Sequence, residues 1–426
     1  MTVKLEIKEL GDESFPTICL NMIVKDEADI IKNTLINLCS KIKFSYWVIC
    51  DTGSTDTTKE IIIEFFKEKD ISGELHDVPW RDFGYNRSKA LEFAYKKSDF
   101  LLHFDADDRI EGNLVLPNLL EKGYGYHMKF GAGVNWKRMP LVDNHIKWYY
   151  EGVMHEIIAT KEHYETKLIE GDYFIATNVE VSARNKRGSL KFVDDAKLLE
   201  EAFEKKDHLQ TRYCFYCAEC WRFSGNKENA IKWYKKTLTL LGWIQERYWS
   251  CFQLGHLYQD LNEPEKSFYY YALSYEYDDN RQEALYEIIH KSRLAGKHNI
   301  ALAYYKLLKP IKDKGNKLFV INHIYDYSLD IDISISGYYA NEFYLAIKSF
   351  KNLFKNSEKI PIQLLKLTVS NFRFYIDKLD DKDQDFYNKF KKFINLLERK
   401  NITFPEEQKQ KIEKLFNNNN KSYFIK

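Results

Sequence analysis

Residues 17–108 alternate short apolar runs with amphipathic segments. The apolar runs predict buried strands at 18–24, 46–50, 74–78 and 100–104. The segments between them predict helices at 29–39, 56–69 and 85–96. Strict alternation of strand and helix is typical of a parallel sheet, and such sheets bind ligands at the carboxyl ends of their strands.

The pattern changes at residue 123. From there to residue 183, short β-like runs are broken by Gly and Pro, which we interpret as the completion of the same domain. Arg184–Gly188 is interpreted as a polar linker, and helical periodicity follows it. The sequence therefore predicts an α/β domain at 1–188, helical repeats at 189–320 and a further helical region, with degenerate repeats, at 321–426.

The helical half contains a repeat in which a turn residue precedes a small residue by five positions, and an aromatic residue follows four positions later. Its four units are Gly225, Ala230 and Tyr234; Asn262, Ser267 and Tyr271; Gly296, Ala301 and Tyr305; and Asn341, Ala346 and Phe350. This spacing resembles the tetratricopeptide pattern, where small residues let two helices approach closely. A generic helical bundle is the alternative.

Composition narrows the class of protein. A length of 426 residues predicts more than one domain. With 64 basic and 63 acidic residues, the chain has no general attraction for nucleic acid. Long apolar runs are absent, so we expect no transmembrane segment and a cytoplasmic location. Heavy use of Lys, Asn and Ile suggests a low-GC bacterial or viral origin.

An acidic cluster gives the sharpest chemical signal. Asp105, Asp107 and Asp108 directly follow the predicted strand at 100–104. Packing carboxylates together costs electrostatic repulsion, which a divalent cation with oxygen ligands would relieve. An Asp-x-Asp triplet is also common on solvated loops, so its place after a strand is what favours a metal and diphosphate site.

Three other segments carry candidate chemistry. Asp51 ends the second predicted strand and begins a Gly, Ser and Thr-rich turn, where it would accept a hydrogen bond from a ligand. Arg87 lies in a predicted helix just before the acidic strand and could neutralise a diphosphate. His155 and Glu156 are adjacent, which suits a metal ligand beside a general base.

Together these segments resemble the inverting family-2 glycosyltransferases of the GT-A fold. The matching residues are Met22–Glu27, Asp51–Asp56, Asp82–Ser88 and Asp105–Asp108, in the family's order and spacing. The Gly152–Glu156 segment and the repeats resemble the branch that includes the sublancin S-glycosyltransferase. The family usually has Asn where this chain has Asp26.

The resemblance implies a fold and a set of roles. The fold is an α/β GT-A domain, Rossmann-like and nucleotide-sugar-binding, followed by an all-α tetratricopeptide-like helical array. Asp51 would contact uracil, and Asp105 would contact ribose or metal-bound water. Asp107 and His155 would ligate Mn²⁺ or Mg²⁺. The other nucleotide-sugar-binding positions would be Val24, Glu27, Arg87 and Ala106. The catalytic base would be Glu156, with Asp143 as the alternative.

The sequence thus predicts a metal-dependent, hexosyltransferase-like enzyme that moves a sugar from a UDP-sugar to a hydroxyl or thiol with inversion. The acceptor is expected to be a peptide, protein or glycan, and the array would bind it or form a homodimer. One alternative is an inactive scaffold whose repeats bind a protein partner. Another is a nucleotidyltransferase, but no triphosphate-binding loop rich in Gly, Arg or Lys follows Val24.

Overall fold

The computed structural model describes residues 2–5, 16–117, 119–131, 136–177, 182–309, 317–378 and 384–417. The chain divides into two compact units, Met1–Glu246 and Arg247–Lys426. The predicted domain boundaries near residues 188 and 320 stay predictions. Within the described residues, no helix is both long enough and apolar enough to span a membrane.

The first unit is an α/β domain followed by helices. Its strands are β1 (Thr2–Leu5), β2 (Ile18–Val24), β3 (Tyr46–Asp51), β4 (Gly73–Asp77), β5 (Phe100–His103), β6 (Arg109–Asn113), β7 (Tyr124–Phe130), β8 (Trp136–Asp143), β9 (Tyr149–Glu151), β10 (Ile157–Ala159), β11 (Glu165–Leu168) and β12 (Asp172–Ala176). Its helices are α1 (Ile31–Lys41), α2 (Thr58–Glu68), α3 (Phe83–Ala94), α4 (Ala183–Lys186), α5 (Leu190–Glu204), α6 (Gln210–Phe223) and α7 (Lys227–Leu238).

The second unit is helical in its described residues. Helix α8 (Ile244–Asp260) begins at the end of the first unit. The others are α9 (Pro264–Tyr277), α10 (Glu283–Leu294), α11 (His298–Leu307), α12 (Leu329–Tyr339), α13 (Phe343–Lys355), α14 (Ile362–Asn371), α15 (Gln384–Arg399) and α16 (Glu406–Asn417). A π-helix spans Ile324–Ser328, and short 3-10 turns span Ser357–Lys359, Phe372–Phe374 and Ile376–Lys378.

The strands of the first unit form one large mixed sheet and a small hairpin. The sheet order is β1-β4-β3-β2-β5-β8-β7-β12-β6, with β11 paired to β7, while β9 and β10 pair separately. Strands β4, β3, β2 and β5 are parallel, and β8 runs antiparallel to β5. The chain moves from β2 to β3 and β4 and then returns to β5 beside β2. The order therefore reverses between β2 and β5, which is where open α/β sheets bind ligands.

The predicted strands and helices of residues 17–108 are confirmed, each bound lying within two residues of its prediction. The apolar runs are strands because both faces of this part of the sheet are covered. Leu20 and Met22 pack in the core cluster on one face, and Cys19 packs in the cluster on the other. Strand β1 was not predicted. It pairs antiparallel with β4, and a four-residue strand has too little pattern to be recognised in sequence.

The repeat units coincide with helical hairpins, which confirms the predicted tetratricopeptide-like array. Each predicted turn residue has a positive φ: Gly225 +84°, Asn262 +57°, Gly296 +69° and Asn341 +61°. Glycine and asparagine tolerate this left-handed backbone better than other residues. After each turn residue, the next N–H donates to the carbonyl five residues earlier, as Glu263 does to Tyr258 at 2.9 Å.

Candidate active site

The predicted site residues lie at or just after the carboxyl ends of β2, β3, β5 and β8, on α3, and in the β9–β10 turn. All of these elements are in the first unit. The parallel register aligns Val24 with Asp51, so the ends of β2 and β3 are neighbours. The sheet therefore gathers segments that are far apart in sequence around its reversal point.

The loops after β2 and β3 are tied to each other. Val24 is buried, and its carbonyl accepts from the Thr52 N–H at 2.9 Å. The Asp26 carboxylate accepts from the Thr55 N–H at 2.7 Å, and the Glu27 N–H donates to the Thr58 hydroxyl at 2.8 Å. Asp26 has a φ of +54°, a left-handed conformation that Asp and Asn adopt more often than most residues.

Asp51 has one carboxylate oxygen engaged and one unpaired. Its side chain is buried, and Oδ1 accepts from the N–H groups of Gly53 at 2.9 Å and Ser54 at 2.8 Å. Oδ2 is buried without a hydrogen-bond partner. An unpaired buried carboxylate oxygen costs free energy, so this atom is suited to accept from a ligand.

Arg87 binds two of the predicted acidic residues at once. Its Nη2 lies 2.6 Å from Oδ1 of Asp105, and its Nε lies 2.6 Å from Oε1 of Glu156. The Arg87 side chain is only 14% exposed and that of Glu156 only 12%. Burial opposes the charged form, but the two carboxylates more than compensate and raise the pKa of Arg87. The guanidinium thus holds the acidic segment after β5 against the β9–β10 turn.

In the acidic segment after β5, the pKa values of Asp105 and Asp107 are shifted in opposite directions. Burial opposes ionisation of Asp105, but the charges of Arg87 and Arg138 outweigh it and lower the pKa of Asp105. Burial and the charge of Asp105 raise the pKa of Asp107, whose Oδ2 accepts from the Asn185 amide at 3.3 Å. Ala106 is buried, and its carbonyl accepts from the Thr34 hydroxyl at 2.5 Å.

His155 lies at the end of the β9–β10 turn beside Glu156. Its φ is +50°, an uncommon conformation for a residue other than Gly. The residue is exposed, but its ring stacks on Tyr216, and desolvation together with nearby arginine charges lowers the pKa of His155 to about 3. The imidazole is therefore neutral at physiological pH, which is the form that binds metals.

Asp143, the alternative base, lies at the end of β8, and both of its carboxylate oxygens accept hydrogen bonds. Its side chain is buried, Oδ1 accepts from the His145 N–H at 2.8 Å, and Oδ2 accepts from the Gly123 N–H at 2.5 Å. These bonds join the end of β8 to the loop that follows it and to the residue before β7.

Several residues around the site were not predicted. The Tyr150 hydroxyl forms a hydrogen bond of 2.6 Å with Nδ1 of His103. The guanidinium of Arg87 lies 5.7 Å from the centroid of the Tyr150 ring. Burial lowers the pKa of His103 to about 4. Asn185, which contacts Asp107, falls in the segment interpreted as a polar linker. The first three residues of that segment lie in α4, and Lys186, next to Asn185, pairs with Asp29 at 2.5 Å. No local signal could identify these residues, because their contacts depend on the tertiary fold.

The predicted metal ligands do not form a large protein cluster. Among the residues that the structure describes, no group of three or more His, Cys, Asp or Glu side chains could hold a metal ion. Asp107 and His155 therefore remain predicted ligands. Arg87, Asp105 and Glu156 are brought into direct contact.

A sequence model described as glycosyl transferase family 2 matches residues 19–158. This span includes every predicted site residue, from Val24 to Glu156. No curated protein matches the chain.

Several solved structures are similar to parts of the chain. MamA is 17% identical, with 41% of this chain and 87% of MamA covered and a TM-score of 0.31. The C-terminal part of a TPR repeat-containing protein from Cytophaga hutchinsonii is 13% identical, with 54% and 84% covered and a TM-score of 0.34. S. aureus TarS 1–349 in complex with UDP-GlcNAc is 12% identical, with 59% and 89% covered and a TM-score of 0.28. By its family match, residues 19–158 resemble a glycosyl transferase family 2 domain, which supports glycosyl transfer as the general activity.

Proposed function

We propose that this protein transfers a sugar from a UDP-sugar to a hydroxyl or thiol acceptor, with inversion at the anomeric carbon. The observation that carries the donor assignment is the buried, unpaired Oδ2 of Asp51 at the carboxyl end of β3. The N3–H group of uracil is a hydrogen-bond donor, and such an oxygen can accept a hydrogen bond from it. The loop around Asp51 is already fixed by Oδ1, so donor binding need not order it.

A divalent cation, Mn²⁺ or Mg²⁺, fits the chemistry of Asp107 and His155. Burial and the charge of Asp105 disfavour the ionised form of Asp107 and raise its pKa, so a nearby cation would stabilise that carboxylate. Such cations are often held by one or two carboxylates together with substrate phosphates, which requires no cluster of three side chains. When bound, the cation would neutralise charge on the departing diphosphate.

Glu156 is our candidate for the base. Oε1 is held by Arg87, which leaves Oε2 to accept the acceptor's proton as its oxygen or sulfur attacks the anomeric carbon. The bond from that carbon to the diphosphate breaks, and UDP leaves with the electron pair. Asp143 is the weaker candidate, because both of its oxygens accept bonds that hold the β8 end together.

The acceptor is proposed to be a peptide, protein or glycan, and membership of the sublancin S-glycosyltransferase branch is a proposal of the same kind. The repeats support the acceptor assignment because helical arrays provide extended binding surfaces. A homodimer through the array is the other proposed use of these helices.

The donor assignment is tested by Asp51→Asn. An asparagine keeps an oxygen for Gly53 and Ser54 but replaces the unpaired oxygen with an N–H donor that faces the uracil N–H. We expect UDP affinity, measured by calorimetry, to fall about 10- to 100-fold, the usual cost of an unpaired buried group. The melting temperature without ligand should change little.

Asp172→Asn, an exposed change on β12, is the matched control and should bind UDP as the wild type does. Equal UDP affinity of Asp51→Asn and wild type would contradict the donor assignment, as would a wild-type protein that binds no UDP.

A further inference from the structure

The turn that carries His155 and Glu156 is short and has an unusual backbone. It connects β9 to β10, which pair antiparallel from Glu151 opposite Ile157 outward. Gly152 has a φ of +103° and His155 a φ of +50°. A left-handed backbone is sterically strained for a histidine, so neighbouring structure has to hold it.

Helix α3 holds one end of this turn. The Phe83 N–H donates to the Val153 carbonyl at 3.1 Å. Gly84 lies so close that a Cβ there would be 2.1 Å from the Gly152 carbonyl oxygen. The same helix carries Arg87, so α3 both supports the turn and pairs with Glu156.

Helix α6 holds the other end, at His155 itself. Arg212 Nε donates to the His155 carbonyl at 2.8 Å. The Tyr216 ring stacks on the imidazole, with centroids 3.8 Å apart and planes at 12°. Arg212 also lies over the Tyr216 ring at 4.8 Å, and its Nη1 is 3.5 Å from a carboxylate oxygen of buried Glu246. These three side chains form one assembly around His155.

We propose that Arg212 and Tyr216 are positioning residues of the active site, and that α6 belongs to the catalytic machinery rather than to a separate acceptor-binding array. This inference rests on the proposed function insofar as it assigns chemistry to His155 and Glu156. Arg212 fixes the backbone of His155 and Tyr216 fixes its ring. Because Glu156 directly follows His155, these two contacts also set the direction in which the Glu156 side chain leaves the backbone.

The expected effect falls on turnover and not on recognition of the nucleotide base. Arg212 and Tyr216 contact His155, whereas the Asp51 loop is bonded to the loop after β2 through Thr52 and Thr55. A displacement of a catalytic group by about 1 Å can cost up to about 100-fold in rate. Loosening His155 and Glu156 therefore lowers kcat by about 10- to 100-fold, while UDP affinity measured with a chelator present changes less than about twofold.

The experiment compares four variants of the full chain. Tyr216→Leu removes the stacked ring, and Tyr216→Phe restores it without the hydroxyl. Arg212→Gln removes the guanidinium, and Arg399→Gln, at an exposed ion pair with Glu358, is the matched control. For each we measure UDP release from a UDP-sugar, UDP affinity with chelator, and hydrogen exchange of the amides at 152–156 and at 52–54.

We expect Tyr216→Leu and Arg212→Gln to lose turnover and to exchange faster at 152–156 only, with Tyr216→Phe and Arg399→Gln close to wild type. If Tyr216→Leu does not fold, Arg212→Gln decides. Unchanged turnover and exchange in Arg212→Gln would overturn the inference. If the wild type releases no UDP from any donor, the proposed function fails, and hydrogen exchange alone decides whether α6 holds the turn.

Discussion

Arg87 connects the acidic segment after β5 with the β9–β10 turn. One guanidinium contacts Asp105, assigned to the nucleotide sugar, and Glu156, assigned to the acceptor, each at 2.6 Å. The charge of Arg87 helps to lower the pKa of Asp105, and the ion pair with Glu156 brings the second carboxylate against the same guanidinium. Under the proposed roles, Glu156 would therefore be placed relative to Asp105 before either substrate binds.

The base assignment predicts different outcomes for Glu156 and Asp143. Glu156→Gln should lower transfer to a hydroxyl acceptor about 100-fold or more while UDP affinity is kept, because a general base is lost. Asp143→Asn should keep turnover but lower the free energy of unfolding by about 1–3 kcal/mol, because it breaks the bonds to Gly123 or His145. Steady-state kinetics and urea denaturation measure the two effects. Normal transfer by Glu156→Gln combined with lost transfer by Asp143→Asn would move the base to Asp143.

The proposed role of Asp107 as a metal ligand predicts that a divalent cation strengthens UDP binding. Asp107→Asn removes the charge that would bind the cation but keeps the oxygen that accepts from Asn185. We expect Mn²⁺ to strengthen UDP binding to the wild type and not to the variant, with equal affinities for both in chelator. Calorimetry with and without Mn²⁺ measures this. A wild type whose UDP affinity is the same in Mn²⁺ and in chelator would contradict a metal site.

At the scale of elements, close helix packing follows from small residues in the repeats. A Cβ on Gly255 of α8 would lie 2.4 Å from the Tyr271 ring of α9, and one on Gly337 of α12 would lie 2.9 Å from the Ala346 side chain of α13. These positions let the paired helices approach, as the repeat pattern predicts. The aromatic position is buried in three of the units, at Tyr234, Tyr271 and Phe350.

Gly255→Ala tests this packing. Alanine favours helix by up to about 1 kcal/mol over glycine, but overpacking a core typically costs about 1–3 kcal/mol. We expect a net loss of unfolding free energy, measured by urea denaturation. In a Tyr271→Leu background the clash is gone, so the same change should be neutral or stabilising. A stabilising Gly255→Ala in the wild-type background would show that the helices are not held this closely.

Elements with a strong local pattern were predictable, and contacts made across the fold were not. Strand β2 is a seven-residue apolar run, and the turn at Asn262 is marked by its residue type and by the repeat. The contact of Asn185 with Asp107 joins residues 78 positions apart, and no nearby pattern announces it. Likewise, Asp143 looks like a free acid in sequence, and only the fold gives it Gly123 and His145 as partners.

At the scale of the molecule, the first compact unit extends to Glu246 and contains α5, α6 and α7 together with the α/β domain. Within this unit, α6 contacts the β9–β10 turn through Arg212 and Tyr216. A repeat can thus continue the array in sequence while it packs on the α/β domain. The change from alternating strands to helices predicts where the architecture changes, but not which helices contact the α/β domain.

Donor hydrolysis by the full chain tests the central claim most directly. The chain is incubated with a panel of UDP-sugars and GDP-sugars in Mn²⁺ or Mg²⁺, and nucleoside diphosphate release is measured. We predict release of UDP from at least one UDP-sugar, lost in chelator and in Asp51→Asn. Release no faster than in buffer from every donor, by a folded protein that also fails to bind UDP, would contradict the account.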